Sequence, residues 1–178
     1  MEKTQKKWIN MSLDFEFRKQ IMDYHIGSEA IKYCYQCNRC TDNCPVAAVT
    51  LDFYGTTGYN PRHIILGSLL GYKDLLLSAD KLAIWGCTVC DTCDEVCPQH
   101  IELTEIFSFL KNISAAKGDA PDSIYAQAKA IYDSAKAIPS QPAIEKRREQ
   151  LGLPPVVAPD VSELQTLMKN IGADKKLK

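Results

Sequence analysis

Eight cysteines constrain this chain more than any other feature, because they fall in two copies of one pattern with none left over. Cys34, Cys37, Cys40 and Cys44 precede Pro45; Cys87, Cys90, Cys93 and Cys97 precede Pro98. Each copy reads C-x2-C-x2-C-x3-C-P. Three cysteines at i, i+3 and i+6 on a wound loop bring three thiolates to three irons of one cube. The fourth iron needs a sulfur from elsewhere, and in proteins with two [4Fe–4S] clusters the last cysteine of each run serves the other cluster. The expected sets are therefore Cys34, Cys37, Cys40 and Cys97 for cluster one, and Cys87, Cys90, Cys93 and Cys44 for cluster two. This crossing ties the two halves of the core together and keeps the clusters close enough for electron hops. The proline after each run has a fixed φ and no N–H, which suits the first position of a helix leaving the site.

Two other uses of cysteine fit less well. Zinc favours CxxC pairs completed by a second pair or by histidines. Disulfides need an oxidising compartment, and Met1 to Lys7 leads into no apolar run of signal-peptide type. This many free thiolates points to a reducing cytoplasm, that of an anaerobe. The 178 residues suffice for one ordinary domain with extensions. A net charge of −1 gives no electrostatic case for nucleic acid. The longest apolar stretches, Ile64 to Leu70 and Leu75 to Leu77, are too short to span a bilayer.

The periodicities read as helices throughout. Residues 1 to 12 form a lead in which Lys3, Lys6 and Lys7 are solvated. Asp14 to His25 has Phe17, Ile21 and Tyr24 on one side, with Gly27 as a stop. Asn60-Pro61 is an N-cap and N1 pair for a helix with Ile65, Leu66, Leu69 and Leu70 on one face and Gly71 as its end. Ser78 can cap a short helix through Leu82 to Trp85. After Pro98, Leu103, Ile106, Phe107, Leu110 and Ile113 fall at helical spacing, closed by Lys117 and Gly118. No alternating strand pattern flanks either cysteine run, so an all-α core is expected. The organisation read here is an N-terminal lead and helix over 1–30, a two-cluster domain over 31–117, and C-terminal helices with a tether over 118–178.

In that last part Ile124, Ala128, Ile131, Ala135 and Ile138 form an amphipathic seam that Pro139 stops. Residues 139 to 159, with Pro139, Pro142, Pro154, Pro155 and Pro159, suit an extended tether. Asp160 and Glu163 look like a capping box for a helix with Val161, Leu164, Leu167, Met168 and Ile171 on one face. Such a tethered helix either folds back on its own core or docks on a partner subunit, and docking is the favoured reading.

Every cysteine is used as a ligand, so no nucleophile or redox thiol remains. His25, His63 and His100 are isolated and read as surface or capping residues. There is no nucleophile elbow, Walker loop or GxGxxG; turns and caps explain Gly55, Gly58, Gly67 and Gly71. No catalytic residue is expected in this chain. Lys32 and Arg39 lie at the first run, and Asp91, Asp94 and Glu95 at the second. Positive charge favours the reduced cluster, so cluster one is expected to have the higher potential.

The segment from Tyr33 to Pro45, the Asn60-Pro61-Arg62 helix start, and Trp85-Gly86-Cys87-Thr88-Val89-Cys90-Asp91-Thr92-Cys93 with Cys97-Pro98 resemble the small iron–sulfur C subunit of soluble heterodisulfide reductase. The resemblance runs over roughly residues 14 to 116, and Gly152-Leu153-Pro154-Pro155 also fits it. It implies the helical ferredoxin fold with two [4Fe–4S] clusters, in a hetero-oligomer. It implies electron flow from a large flavin- and iron–sulfur-containing partner to a second partner with CCG motifs, which reduces the mixed disulfide of coenzyme M and coenzyme B in methanogenic archaea. It also implies electron bifurcation at the flavin partner, fed by a hydrogenase or formate dehydrogenase. This chain has no adjacent cysteine pair, so CCG chemistry belongs to a partner. Alternatives are an iron–sulfur subunit of a glycerol-3-phosphate, lactate or succinate dehydrogenase type, a free helical ferredoxin, or a zinc-stabilised module.

Overall fold

The structure is a computed structural model that describes residues 12–25, 27–52, 58–77, 84–138, 141–157 and 159–177. Every regular element among them is helical. In chain order these are α1 (Phe15–Asp23), a 3-10 turn (Ser28–Tyr33), α2 (Arg39–Asp42), α3 (Pro45–Thr50), α4 (Pro61–Leu70), α5 (Lys73–Leu76), α6 (Thr92–Glu95), α7 (Leu103–Lys117), α8 (Asp122–Ser134), α9 (Pro142–Gln150), α10 (Ser162–Asn170) and a last 3-10 turn (Asp174–Lys176). The chain divides after Asp119 into two compact units. Residues 1 to 11 of the expected lead, Gly55, Pro139 and the stretch from Ser78 to Ala83 lie outside the described residues.

The first unit is built on local signals. Asp14 caps α1 by accepting from Phe17 N–H at 2.8 Å. That backbone bond, helped by Lys73 at 3.2 Å and opposed by partial burial, holds the carboxyl below its ordinary range. Asn60 caps α4 by accepting from His63 N–H, and Pro61 takes the first helical position. Gly71 ends α4 at φ 77°, where an added Cβ would run into the Asp14 carbonyl. The Asp14 N–H donates to the Gly71 carbonyl at 3.0 Å, so the start of α1 and the end of α4 are tied. Phe17, Ile21, Ile64, Ile65, Ile106, Phe107 and Leu110 form the core between α1, α4 and α7. Tyr24 stacks on Phe109 at 4.2 Å.

Two expectations fail in this unit. Pro45 opens α3 as predicted, but Pro98 opens only a turn. His100, at φ 50°, breaks it, and α7 begins at Leu103. The orphan N–H groups of α7 are instead met by Asp94, which accepts from Leu103 N–H at 2.7 Å, from Thr104 N–H and from the Thr104 hydroxyl. Further upstream, Ile84, Trp85 and Gly86 form a bend and turn rather than the end of a helix.

The second unit departs further from the sequence reading. α8 ends at Ser134 because Ala135 turns left-handed at φ 52°, so Ile138 is not on that helix. The stretch expected to be an extended tether contains α9, with Pro142 at its first position. Arg148 on α9 donates to the Pro154 carbonyl at 2.8 Å and folds the following segment back on the helix end. Asp160 and Glu163 do not form a capping box: Val161 holds the N-cap position, and Asp160 accepts from Ser162 N–H. α10 packs on α8, with Gln165 donating to the Tyr132 carbonyl at 3.1 Å. Its apolar residues divide: Leu164 and Met168 are half-buried, while Leu167 and Ile171 are 56 % and 78 % exposed.

Candidate metal centre

The two cysteine runs fold alike. In the first, Cys34 leaves the 3-10 turn, Gln36 and Asn38 are left-handed at φ 61° and 69°, and α2 carries Cys40. In the second, Val89 and Asp91 are left-handed at φ 53° and 59°, and α6 carries Cys93. Left-handed residues thus fall two and four places after the first cysteine of each run. An L-residue there costs about 1–2 kcal/mol, and most for a β-branched one such as Val89. Asn38 and Asp91 are types that tolerate the region, so it is at Gln36 and Val89 that the surroundings impose the winding. It turns donors toward sulfur: Gln36 Nε2 to Cys34 at 3.2 Å, and Val89 N–H to Cys87 at 3.3 Å. The helix-start N–H of Ala47 reaches Cys44 at 3.4 Å, and Ile101 N–H reaches Cys97 at 3.4 Å.

Two hollows lie against these loops. One is lined by Cys34, Cys37, Cys40 and Cys97, with Arg62 and Ile65. The other is lined by Cys87, Cys90, Cys93 and Cys44, with Tyr59 and Thr104. Each hollow thus gathers three sulfurs from one run and the last sulfur of the other. No three His, Cys, Asp or Glu side chains among the described residues stand close enough to grip a single ion.

The electrostatics suit a cationic group. Burial first, then the neighbouring Cys34 and Cys37, push the Cys40 thiol up to about 11 against a hydrogen bond from Thr41. Burial and the adjoining Asp94 push the Cys93 thiol up as well. Cys90 goes the other way through its hydrogen bond with Thr92 at 3.4 Å. Sulfurs crowded in this way resist deprotonation unless positive charge stands between them. Soft, deprotonated sulfur donors with N–H groups aimed at them fit iron of the [4Fe–4S] kind.

Four neighbours, Thr41, Arg62, Lys111 and Tyr59, were not legible as site residues. Thr41 in the first run donates to Asn60 Oδ1 at 2.9 Å and accepts from Arg62 N–H, which fastens the α4 start to that run. Lys111 on α7 donates to the Cys87 carbonyl at 2.6 Å beside the Trp85 ring. Tyr59 is buried against the second hollow. These contacts also revise the charge argument. Asp94 is occupied capping α7, and a cation now stands at each run: Arg62 at the first and Lys111 at the second. His25 lies beside Glu102 at 3.4 Å, and His63 beside Arg62; neither lines a hollow.

A helical scaffold with paired cysteine loops around two sulfur-lined hollows defines an iron–sulfur electron-transfer protein. Residues 28–101 match the family described as "4Fe-4S dicluster domain". The chain is 37% identical over 154 residues to the C 2 iron-sulfur subunit of CoB--CoM heterodisulfide reductase from Methanocaldococcus jannaschii, across 83% of this chain and 77% of the relative. It is 34% identical to the C2 subunit of H(2)/formate:CoB-CoM heterodisulfide,ferredoxin reductase from Methanococcus maripaludis, across 82% and 77%. It is 28% identical to the C subunit of H(2):CoB-CoM heterodisulfide,ferredoxin reductase from Methanothermobacter thermautotrophicus, across 92% and 86%. The chain belongs to the family of heterodisulfide reductase C subunits, whose members are iron–sulfur subunits of an oxidoreductase complex. No described helix is long and apolar enough to cross a membrane.

Proposed function

We propose that this chain relays single electrons through two [4Fe–4S] clusters, from a flavin- and iron–sulfur-containing partner to a CCG-motif partner that reduces the coenzyme M–coenzyme B disulfide. The observation that carries the reading is the crossed lining of the two hollows. Cys34, Cys37, Cys40 and Cys97 hold one cluster; Cys87, Cys90, Cys93 and Cys44 hold the other. When bound, these clusters supply one-electron oxidation and reduction. The protein's own part is to hold the sulfurs at fixed separation, to solvate their negative charge with N–H groups, and to keep α2 against α6 so that the two sites stay neighbours.

This chain has no adjacent cysteine pair; the reading gives the CCG chemistry to the partner and a non-catalytic, electron-carrying role to this chain. Reducing a disulfide takes two electrons, which a carrier of this kind delivers singly. The relatives' names, which print H(2) or formate together with the heterodisulfide and ferredoxin, support electrons that originate in hydrogen or formate oxidation. The reading adds a hydrogenase or formate dehydrogenase as their source and bifurcation at the flavin of a partner. The reading includes a reducing cytoplasm and a hetero-oligomer. It also gives the C-terminal region a docking role, supported by the exposed Leu167 and Ile171.

Anaerobic purification of the chain from its native host tests the proposal. A flavoprotein partner and a CCG-motif partner are expected to come with it, in a complex that reduces the heterodisulfide. Elution alone, or with a dehydrogenase inactive on that disulfide, overturns it.

A further inference from the structure

Tyr59 is 1% exposed, yet its hydroxyl has no nitrogen or oxygen partner. A buried hydroxyl left unsatisfied is destabilising, and Phe would fill the same space without that penalty. The side chain is nevertheless held in place from three sides. Gly58 turns the backbone at φ 97°, where a Cβ would strike the Thr50 carbonyl. Tyr59 N–H donates to Thr50 Oγ1 at 3.1 Å. The ring meets Phe107 edge-on, 6.5 Å between centroids at 82°. So fixed, Tyr59 lines the hollow of Cys44, Cys87, Cys90 and Cys93. The hollow it lines offers the sulfurs of Cys44, Cys87, Cys90 and Cys93 as acceptors. A phenol O–H is protonated at neutral pH and a metal-bound sulfur has no proton to give, so Tyr59 can only donate to them.

We propose that the Tyr59 hydroxyl donates a hydrogen bond to a sulfur of the iron–sulfur group held by Cys44, Cys87, Cys90 and Cys93, and thereby raises that group's reduction potential. The inference rests on the ligand sets of the preceding section. Its sign follows from charge: the reduced group is the more negative, so a donated hydrogen bond stabilises it more than the oxidised form. Val89 N–H and the Thr92 hydroxyl serve the same sulfur set from the loop itself. Tyr59 is a donor brought to it from outside the cysteine run, which makes it a positioning and tuning residue.

The test is a redox-poised EPR titration of the intact, cluster-loaded protein with its native partners. Tyr59→Phe is expected to lower the midpoint of the second-hollow signal by a roughly tenfold change in its reduction equilibrium, about 59 mV for one electron. The first-hollow signal stays put and serves as the internal reference. ENDOR after exchange into D2O is expected to lose one exchangeable proton coupling in the variant. Replacing Tyr59 by 3,5-difluorotyrosine, a stronger donor of the same shape, should move the midpoint upward, and it decides the matter if Tyr59→Phe fails to load. Unchanged midpoints in both variants, with the second signal present, overturn the proposal while leaving the ligand sets standing. Absence of any second-hollow signal in the unaltered chain overturns the ligand sets, and this proposal with them.

Discussion

A left-handed valine is a poor choice on intrinsic grounds, and Val89 adopts that conformation where its N–H reaches the Cys87 sulfur. In each loop the second left-handed residue, Asn38 or Asp91, is a type that tolerates the conformation, whereas at Gln36 and Val89 the turn brings a donor to sulfur against backbone preference. The crossed sets give a sharp residue-scale prediction. Cys37→Ser and Cys97→Ser should perturb one and the same EPR signal, and Cys90→Ser and Cys44→Ser the other. If Cys97→Ser instead alters the signal that Cys90→Ser alters, the crossing is wrong. All eight candidate ligands were readable because the spacing itself carries the chemistry. Tyr59, Arg62 and Lys111 were not readable as neighbours of the hollows, because each arrives from a separate segment and no local pattern marks a residue by where the tertiary fold sends it. Asp94 was read as a free negative charge for the same reason; the α7 start that captures it lies nine residues further on.

Helix ends divide into those encoded nearby and those completed from a distance. Asn60-Pro61 with Gly71, and Lys117 with Gly118, belong to the first kind, and the structure places α4 and α7 accordingly. Gly71→Ala should destabilise the protein by at least about 2 kcal/mol. It combines left-handed strain with a collision against the Asp14 carbonyl, and thermal denaturation of the loaded protein checks it. The start of α7 is of the second kind. Asp94→Ala should cost about 1–2 kcal/mol, whereas Asp94→Asn, which keeps an acceptor, should recover much of it. Equal melting of the two variants would show that the cap contributes nothing. Proline misled the reading twice for one physical reason. Its fixed φ suits both a helix start and an extended segment, so Pro142 opens α9 inside a supposed tether, while Pro98 opens a turn that His100 then breaks.

The whole chain separates after Asp119, and the sulfur chemistry lies in the first part. A chain cut after Asp119 should therefore keep both EPR signals and lose co-purification with its partners, measured by anaerobic pull-down beside the full chain. Loss of the signals on truncation would mean that the C-terminal unit supports the sites directly. At this scale the all-helical class was legible from apolar periodicity. The shape of the C-terminal unit was not: Arg148 closing on the Pro154 carbonyl and Gln165 on the Tyr132 carbonyl are side-chain bonds that no periodicity carries.

The exchange of the last sulfur between the two hollows has a consequence for how the protein matures. On the proposed ligand sets, filling either hollow requires Cys44 or Cys97 to meet the opposite run, and so draws together stretches of chain that are far apart in sequence. The loop-closure entropy of that encounter is met once, by whichever cube arrives first. The second then enters a frame already closed, which makes its insertion the easier of the two. Loading should accordingly be cooperative. Under limiting iron and sulfide, native mass spectrometry should find the population split between empty and fully loaded molecules, with half-loaded ones scarce.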